Sequence, residues 1–90
     1  MRSRVVNIKH EDYDVYIGRG SKWGNPYVEG RDGTREEVIE RYRRRMERRK
    51  DLIEDLDELR GMRLGCFCKP LPCHGDILIE MMERREDNED

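Results

Sequence analysis

All three cysteines of the chain fall within eight residues, and one of its two histidines directly follows the last of them. Thiolate sulfur and imidazole nitrogen are the usual ligands of structural zinc, so this cluster is a candidate metal site. Its spacing, C-x-C-x4-C-H, differs from the common arrangement of two separated pairs, and two adjacent ligands would have to converge on one ion. The candidate metal ligands are Cys66, Cys68, Cys73 and His74.

A second hypothesis treats the same segment as the wall of a ligand pocket. The prolines at positions 70 and 72 must end the preceding strand, and a helix is predicted to begin near Cys73. Free amides at a helix start attract anions and stabilise a thiolate, which predicts a lowered pKa for Cys73. The residues predicted to form this wall are Cys68, Cys73, His74, Gly75 and Asp76.

Two further interpretations of the cysteine segment stay open. In a thiol enzyme, Cys73 and His74 are the candidate catalytic residues, although adjacent side chains rarely face each other and His74 is a poor base for Cys73. Cysteine is also among the most buried residue types, and for Cys66 simple core packing is the favoured interpretation.

The segment Gly18–Tyr27 reads GRGSKWGNPY and has an equally unusual composition. Backbone amides exposed by glycines, next to two cations, can hold a phosphate or carboxylate. Trp23 suits stacking on a planar ligand, and equally suits anchoring the loop to the core. No complete phosphate-loop or dinucleotide-binding pattern is present. The predicted ligand-binding residues are Arg19, Ser21, Lys22, Trp23 and Asn25.

The hydrophobic pattern predicts the elements that position these segments. Two strands are predicted at 4–9 and 13–18, most simply as a hairpin, followed by a long loop over 19–33. Thr34 and Glu37 form a capping box that begins a helix running to about Lys50. A second helical pattern ends at Gly61, a strand follows over 62–68, and the last helix begins near Cys73.

The predicted order is therefore β-β-α-α-β-α. It corresponds to a small α/β domain with a short sheet of about three strands and about three helices. This single domain is expected to span residues 1–86, and residues 87–90 to form an acidic C-terminal tail. A chain of 90 residues buries a modest core, so a metal or a dimer contact would help to stabilise it.

Composition narrows the classes of partner. The net charge is −2, and the arginines of the segment 41–50 are matched by nearby acids, which favours an ion-paired surface over nucleic-acid binding. No stretch is long and apolar enough to span a membrane, and the N-terminus lacks a signal-peptide core. A cytoplasmic location is expected, in the host cytoplasm if the protein is viral.

Two blocks of the sequence resemble one known family. The first block, Gly18–Pro26, contains Gly-Arg-x-Ser-Lys-Trp-Gly-Asn-Pro, and the second block, Cys66–His74, contains Cys-x-Cys-x-Pro-x-Pro-Cys-His. Both are similar to blocks of the small phage and prokaryotic family catalogued as domain of unknown function 4326. The likeness extends from about Val5 to Met82. This resemblance implies no particular activity or cofactor.

The leading functional hypothesis places both blocks around one pocket for a nucleotide-like or phosphorylated small molecule. Arg19, Ser21 and Lys22 would hold the anionic group, and Trp23 would pack against the planar part. Cys68, Cys73 and His74 would form the opposite wall. The alternatives are a zinc-stabilised adaptor that binds protein or nucleic acid, and a thiol-dependent enzyme that uses Cys73. The residue pattern does not decide between a binder and an enzyme.

Overall fold

The computed structural model of the protein describes residues 3–69 and 71–87, the last two of these by their backbone alone. The helices and strands are β1 (Arg4–Asn7), β2 (Val15–Tyr16), α1 (Arg35–Arg48), α2 (Lys50–Asp55), β3 (Arg63–Cys66) and α3 (His74–Asp87), with a 3-10 turn at Leu56–Leu59. This is the predicted order and the predicted α/β class. Of the expected acidic tail, position 87 belongs to α3, and residues 88–90 lie outside the described residues.

The three strands form one parallel sheet in the order β1-β3-β2. Val5 of β1 and Val15 of β2 both pair with Leu64, from opposite sides of the central strand. The hairpin predicted for the first two strands is therefore wrong, because β1 and β2 do not touch each other and each is paired with β3.

Gly65 provides the physical reason for this topology. A β-carbon added at Gly65 would lie 2.6 Å from Cγ2 of Ile8 and 2.7 Å from Cγ of Tyr13. The connection between β1 and β2 therefore crosses directly over the face of β3 at the one position that has no side chain. Glycine within a strand often marks such a close approach.

Asp14 and Arg63 fasten β2 to β3 at the start of both strands. The Asp14 amide donates to the Arg63 carbonyl over 2.9 Å, and the Arg63 amide donates to Oδ2 of Asp14 over 2.8 Å. The guanidinium of Arg63 also donates to both carboxylate oxygens, at 3.1 Å each. These hydrogen bonds from Arg63 lower the pKa of Asp14.

Helix α1 begins as predicted. The Glu37 amide donates to Oγ1 of Thr34, and Oε1 of Glu37 accepts from the Thr34 amide, which completes the capping box. The buried stripe of this helix packs with α3 and the central strand around one core. The fully buried members of that core include Ile17, Tyr42, Met46, Leu56, Leu59, Leu64, Cys66 and Leu78.

The charged surface is ion-paired, as the alternation of arginine and acidic residues predicts. Arg43 pairs with Glu40 on its own helix and with Glu80 of α3, and Arg49 pairs with Asp51 at 2.9 Å. Exposed pairs of this kind contribute little stability one by one. Throughout 3–69 and 71–87, no helix combines the length and the apolar character that crossing a membrane requires.

The long loop after β2 is anchored to α1 by its own core residue. The Trp23 side chain is 3% exposed and belongs to the hydrophobic core. The hydroxyl of Tyr42 donates to the Trp23 carbonyl over 2.7 Å. Nδ2 of Asn25 donates to the Val38 carbonyl over 3.1 Å. The loop is thus held to one face of the helix at two successive points.

Replacing Asp14 with asparagine is expected to lower the free energy of unfolding at neutral pH, with a difference from wild type that shrinks in acid. The folded-state pKa of Asp14 is lowered, so its carboxylate stabilises the fold above its unfolded value of about 3.9. That stabilisation disappears as the pH falls through the lower folded value. Urea unfolding across this range measures the effect. Glu54→Gln, at an exposed site with no partner among the described residues, is the control; a pH-independent difference for Asp14→Asn would contradict the prediction.

Tyr42→Phe is expected to destabilise the protein by about 1–3 kcal/mol, because the buried Trp23 carbonyl would lose its hydrogen-bond donor. Chemical denaturation monitored by circular dichroism measures this difference. Tyr13→Phe is the matched control, since the Tyr13 side chain is 45% exposed. Equal stability of the two variants would show that the Tyr42 hydroxyl does not anchor the loop.

Candidate ligand cleft and cysteine cluster

The first and second blocks face each other across one cleft of about 350 Å³. Gly18, Arg19 and Asn25 line it from the first block. Cys66, Cys68 and His74 line it from the second block, together with Cys73. A third wall comes from the end of the long loop and the first turn of α1. Its members are Tyr27, Val28, Glu29, Arg35, Val38 and Ile39.

The three cysteines form a cluster at the end of β3 and the start of α3. Their sulfur atoms all lie within 4.8 Å of one another. The Cys66 and Cys73 sulfurs are 3.4 Å apart and share a hydrogen bond. The Gly75 amide donates to Sγ of Cys73 over 3.3 Å. Cys66 and Cys73 are buried, whereas Cys68 is only partly buried.

The two buried thiols have opposite pKa shifts. The hydrogen bond from Cys73 lowers the pKa of Cys66. The hydrogen bond to Cys66, together with burial, raises the pKa of Cys73. The lowered pKa predicted for Cys73 is therefore wrong, because a neighbouring thiolate outweighs the helix start. Cys66, which the sequence favoured as a core residue, is 1% exposed.

His74 joins the two blocks and does not belong to the sulfur cluster. Its Nε2 lies 2.7 Å from the Ile17 carbonyl, so this nitrogen carries the proton and donates it. The ring stands edge-on to Tyr42, with centroids 5.0 Å apart, and is 8% exposed. Burial lowers the pKa of His74, which favours the neutral ring. Among the described residues, no histidine nitrogen lies with the three sulfurs.

Gly75 and Asp76 position the helix start and do not line the cleft. A β-carbon at Gly75 would lie 2.8 Å from side-chain carbons of both Ile17 and Val5, so this residue permits close packing of α3 on the sheet. Oδ2 of Asp76 accepts from the Cys73 amide over 3.2 Å, and Lys69 pairs with the same carboxylate at 3.4 Å. Both residues make structural contacts at the helix start, and their ligand roles stay predictions.

Three predicted ligand-binding residues of the first block, Ser21, Lys22 and Trp23, contact other parts of the chain. Oγ of Ser21 donates to the Gly18 carbonyl over 2.7 Å, closing the turn. Nζ of Lys22 pairs with Asp55 at 3.0 Å and with Glu58 at 3.1 Å, which raises the pKa of Lys22. Neither Lys22 nor the buried Trp23 lines the cleft. The anchoring role considered for Trp23 is the one the structure shows.

Arg19 and Asn25 both line the cleft, but they differ in whether their side chains have partners among the described residues. Oδ1 of Asn25 accepts from the Tyr27 amide over 3.0 Å, and its Nδ2 is bonded to α1, so its amide shapes the loop. Arg19 is exposed, and its guanidinium has no hydrogen bond or ion pair with any described residue. It occupies the second position of a turn in which the Ser21 amide donates to the Gly18 carbonyl and Gly20 has a φ of +93°.

Sequence reasoning missed several cleft residues, among them Phe67, Tyr16 and Arg35. Phe67 is 56% exposed, and its ring stands edge-on to that of Tyr16, with centroids 6.4 Å apart. Arg35 donates to the Pro72 carbonyl over 3.0 Å and pairs with Glu29 at 3.1 Å, so it ties α1 to the second block. The signal for Phe67 was available, because it alternates with two inward-facing cysteines and must point the other way. Nothing in the local sequence indicated Arg35.

Comparison with known proteins gives a family and no activity. Residues 2–84 match the sequence profile described as domain of unknown function DUF4326. An uncharacterised 12.4 kDa protein from the nrdA-td intergenic region of Enterobacteria phage T4 is 49% identical over 85 residues, covering 90% of this chain and 78% of that protein. The uncharacterised protein R718 of Acanthamoeba polyphaga mimivirus is 34% identical over 89 residues, covering 79% of this chain and 68% of that protein.

No solved structure is significantly similar to the chain. The profile match spans nearly the full length and includes both blocks, and the resemblance seen in the two blocks is confirmed by it. The chain therefore belongs to the DUF4326 family.

Proposed function

We propose that the protein binds a nucleotide-like small molecule, with a planar ring and an anionic group, in the cleft between the two blocks. The observation that carries this proposal is Arg19, an exposed guanidinium without a partner among the described residues, at a cleft that also exposes an aromatic ring. A volume of about 350 Å³ lies within the range of small-molecule sites, roughly 300–1,000 Å³.

Arg19 is the group that would hold the anion. A guanidinium presents a planar fork of donors that matches phosphate and carboxylate oxygens. The other cleft arginine, Arg35, is already engaged by Glu29 and the Pro72 carbonyl. Because Arg35 and Glu29 offset each other, Arg19 supplies the unbalanced positive charge of the cleft.

The rings of Phe67 and Tyr16 are the groups that would contact the planar part. Phe67 is more than half exposed although it follows a buried strand, and both rings line the cleft. Nζ of Lys9 lies over the Phe67 ring at 5.9 Å from its centroid, and the 56% exposure of Phe67 leaves ring surface for a second planar group. This replaces the stacking role that the sequence suggested for Trp23.

Binding of three probes tests the proposal: adenosine 5′-monophosphate, adenosine and ribose 5-phosphate, each titrated into the labelled chain and followed by amide NMR shifts. We expect the monophosphate to shift the amides around Arg19 and Phe67 and to bind more tightly than the other two. Absence of shifts with all three probes at millimolar concentration would overturn the proposal. Binding of ribose 5-phosphate as tight as that of the monophosphate would overturn the stacking part.

Two variants test whether Arg19 binds the anionic group and whether Phe67 contacts the planar ring. Arg19→Gln should weaken binding of the monophosphate at least about tenfold and leave adenosine unchanged, since a charge-assisted hydrogen bond is worth about 1.5–3 kcal/mol. Phe67→Ala should weaken both compounds about tenfold, since stacking contributes about 1–3 kcal/mol. Arg48→Gln is the matched control, because Arg48 is exposed on α1 outside the cleft. An equal effect of Arg19→Gln and Arg48→Gln would contradict the role of Arg19.

A further inference from the structure

We infer that Cys66, Cys68 and Cys73 form a three-thiolate site for a zinc-class divalent ion, whose fourth coordination position opens into the cleft. This site goes beyond the proposed ligand binding and does not depend on it. It also differs from the four-ligand site that the sequence suggested, since His74 is not a ligand. The inference follows from the distances between the sulfurs, the hydrogen bonds they make and the position of the cluster on the cleft wall.

The distances suit one ion. Zinc binds thiolate sulfur at about 2.3 Å in a tetrahedron, which places two sulfurs about 3.8 Å apart. The Cys66 and Cys73 sulfurs are 3.4 Å apart, and no pair among the three exceeds 4.8 Å. A shift of about 1 Å in the most distant sulfur closes the site around a metal of this size. Cys68 is partly buried and follows the end of β3, so its side chain is the one with room to move.

Both buried sulfurs accept or share hydrogen bonds within the site. The Gly75 amide donates to Sγ of Cys73 over 3.3 Å, and the Cys66 and Cys73 sulfurs share a hydrogen bond. Such donors orient metal ligands and disperse negative charge on sulfur. The loop after Cys68 is itself held, because Nδ2 of Asn7 donates to the Lys69 carbonyl over 2.8 Å.

The fourth position has no protein ligand in the described part of the chain. No histidine nitrogen of the described residues lies with the three sulfurs, and the carboxylate of Asp76 is bonded to the Cys73 amide and to Lys69. All three cysteines line the cleft, so the open side of the cluster faces its interior. Three protein ligands with one exchangeable position is the arrangement of reactive zinc sites, whereas purely structural sites use four.

Cobalt titration tests the site, because Co²⁺ replaces Zn²⁺ and reports its ligands by absorption. Reduced, chelator-treated protein should bind one Co²⁺ per chain, with sulfur-to-cobalt charge-transfer bands and strong visible bands of four-coordinate cobalt, and one equivalent of Zn²⁺ should displace it. Imidazole added to the cobalt form should shift the visible bands by occupying the open position. Failure to bind Co²⁺ stoichiometrically would overturn the site, and bands insensitive to imidazole would overturn the open position.

Three variants test the ligand set. Cys68→Ser should weaken Co²⁺ binding at least about tenfold, given that even outer partners of metal ligands are worth 10–100-fold. Leu71→Ser is the matched control and should bind as wild type does, because Leu71 is exposed in the same loop and does not line the cleft. His74→Gln should retain one Co²⁺ per chain with the same charge-transfer bands. Wild-type affinity in Cys68→Ser would overturn the three-thiolate set. Loss of binding in a His74→Gln variant that keeps its circular dichroism spectrum would overturn the three-ligand assignment in favour of histidine ligation.

Discussion

One buried hydrogen bond, from Nε2 of His74 to the Ile17 carbonyl, sets the relation between the two blocks. It ties the first turn of α3 to the residue that follows β2, and the first block begins immediately after that residue. A buried carbonyl without a donor is costly, so this bond also fixes which imidazole nitrogen carries the proton. The two walls of the cleft are therefore positioned by the same side chain. Its neighbour Cys73 belongs to the sulfur cluster, which couples the cluster to the cleft.

The sequence predicted the elements well and their pairing poorly. The capping box at Thr34, the buried stripe of α1 and the start of α3 depend on contacts within a few residues, and all three are confirmed. The pairing of β1 and of β2 depends instead on a partner strand more than 45 residues away, β3 at Arg63–Cys66. Gly65 permits the β1–β2 connection to cross over β3, but a glycine in the sequence does not indicate which segment lies against it.

The candidate site shows the same division between local and distant causes. That both blocks line one cleft was predicted, and their juxtaposition is confirmed by the structure. Which side chains face the cleft was predicted less well, because distant partners compete for them. Lys22 is drawn to the acidic pair Asp55 and Glu58, and Trp23 fills the core that a chain of this size needs. Asp55 and Glu58 lie more than 30 residues from Lys22 in the sequence, so no local motif could indicate this pairing.

The placement of β3 has a consequence for the order in which the chain can fold. β1 and β2 pair with β3 and not with each other, so neither has a strand partner until residues 63–66 are present. During synthesis, the described residues up to position 60 hold no complete pair of strands, and the sheet forms in a late, long-range step. The cysteine block follows β3 directly, so formation of the sheet and assembly of the sulfur cluster belong to the same event.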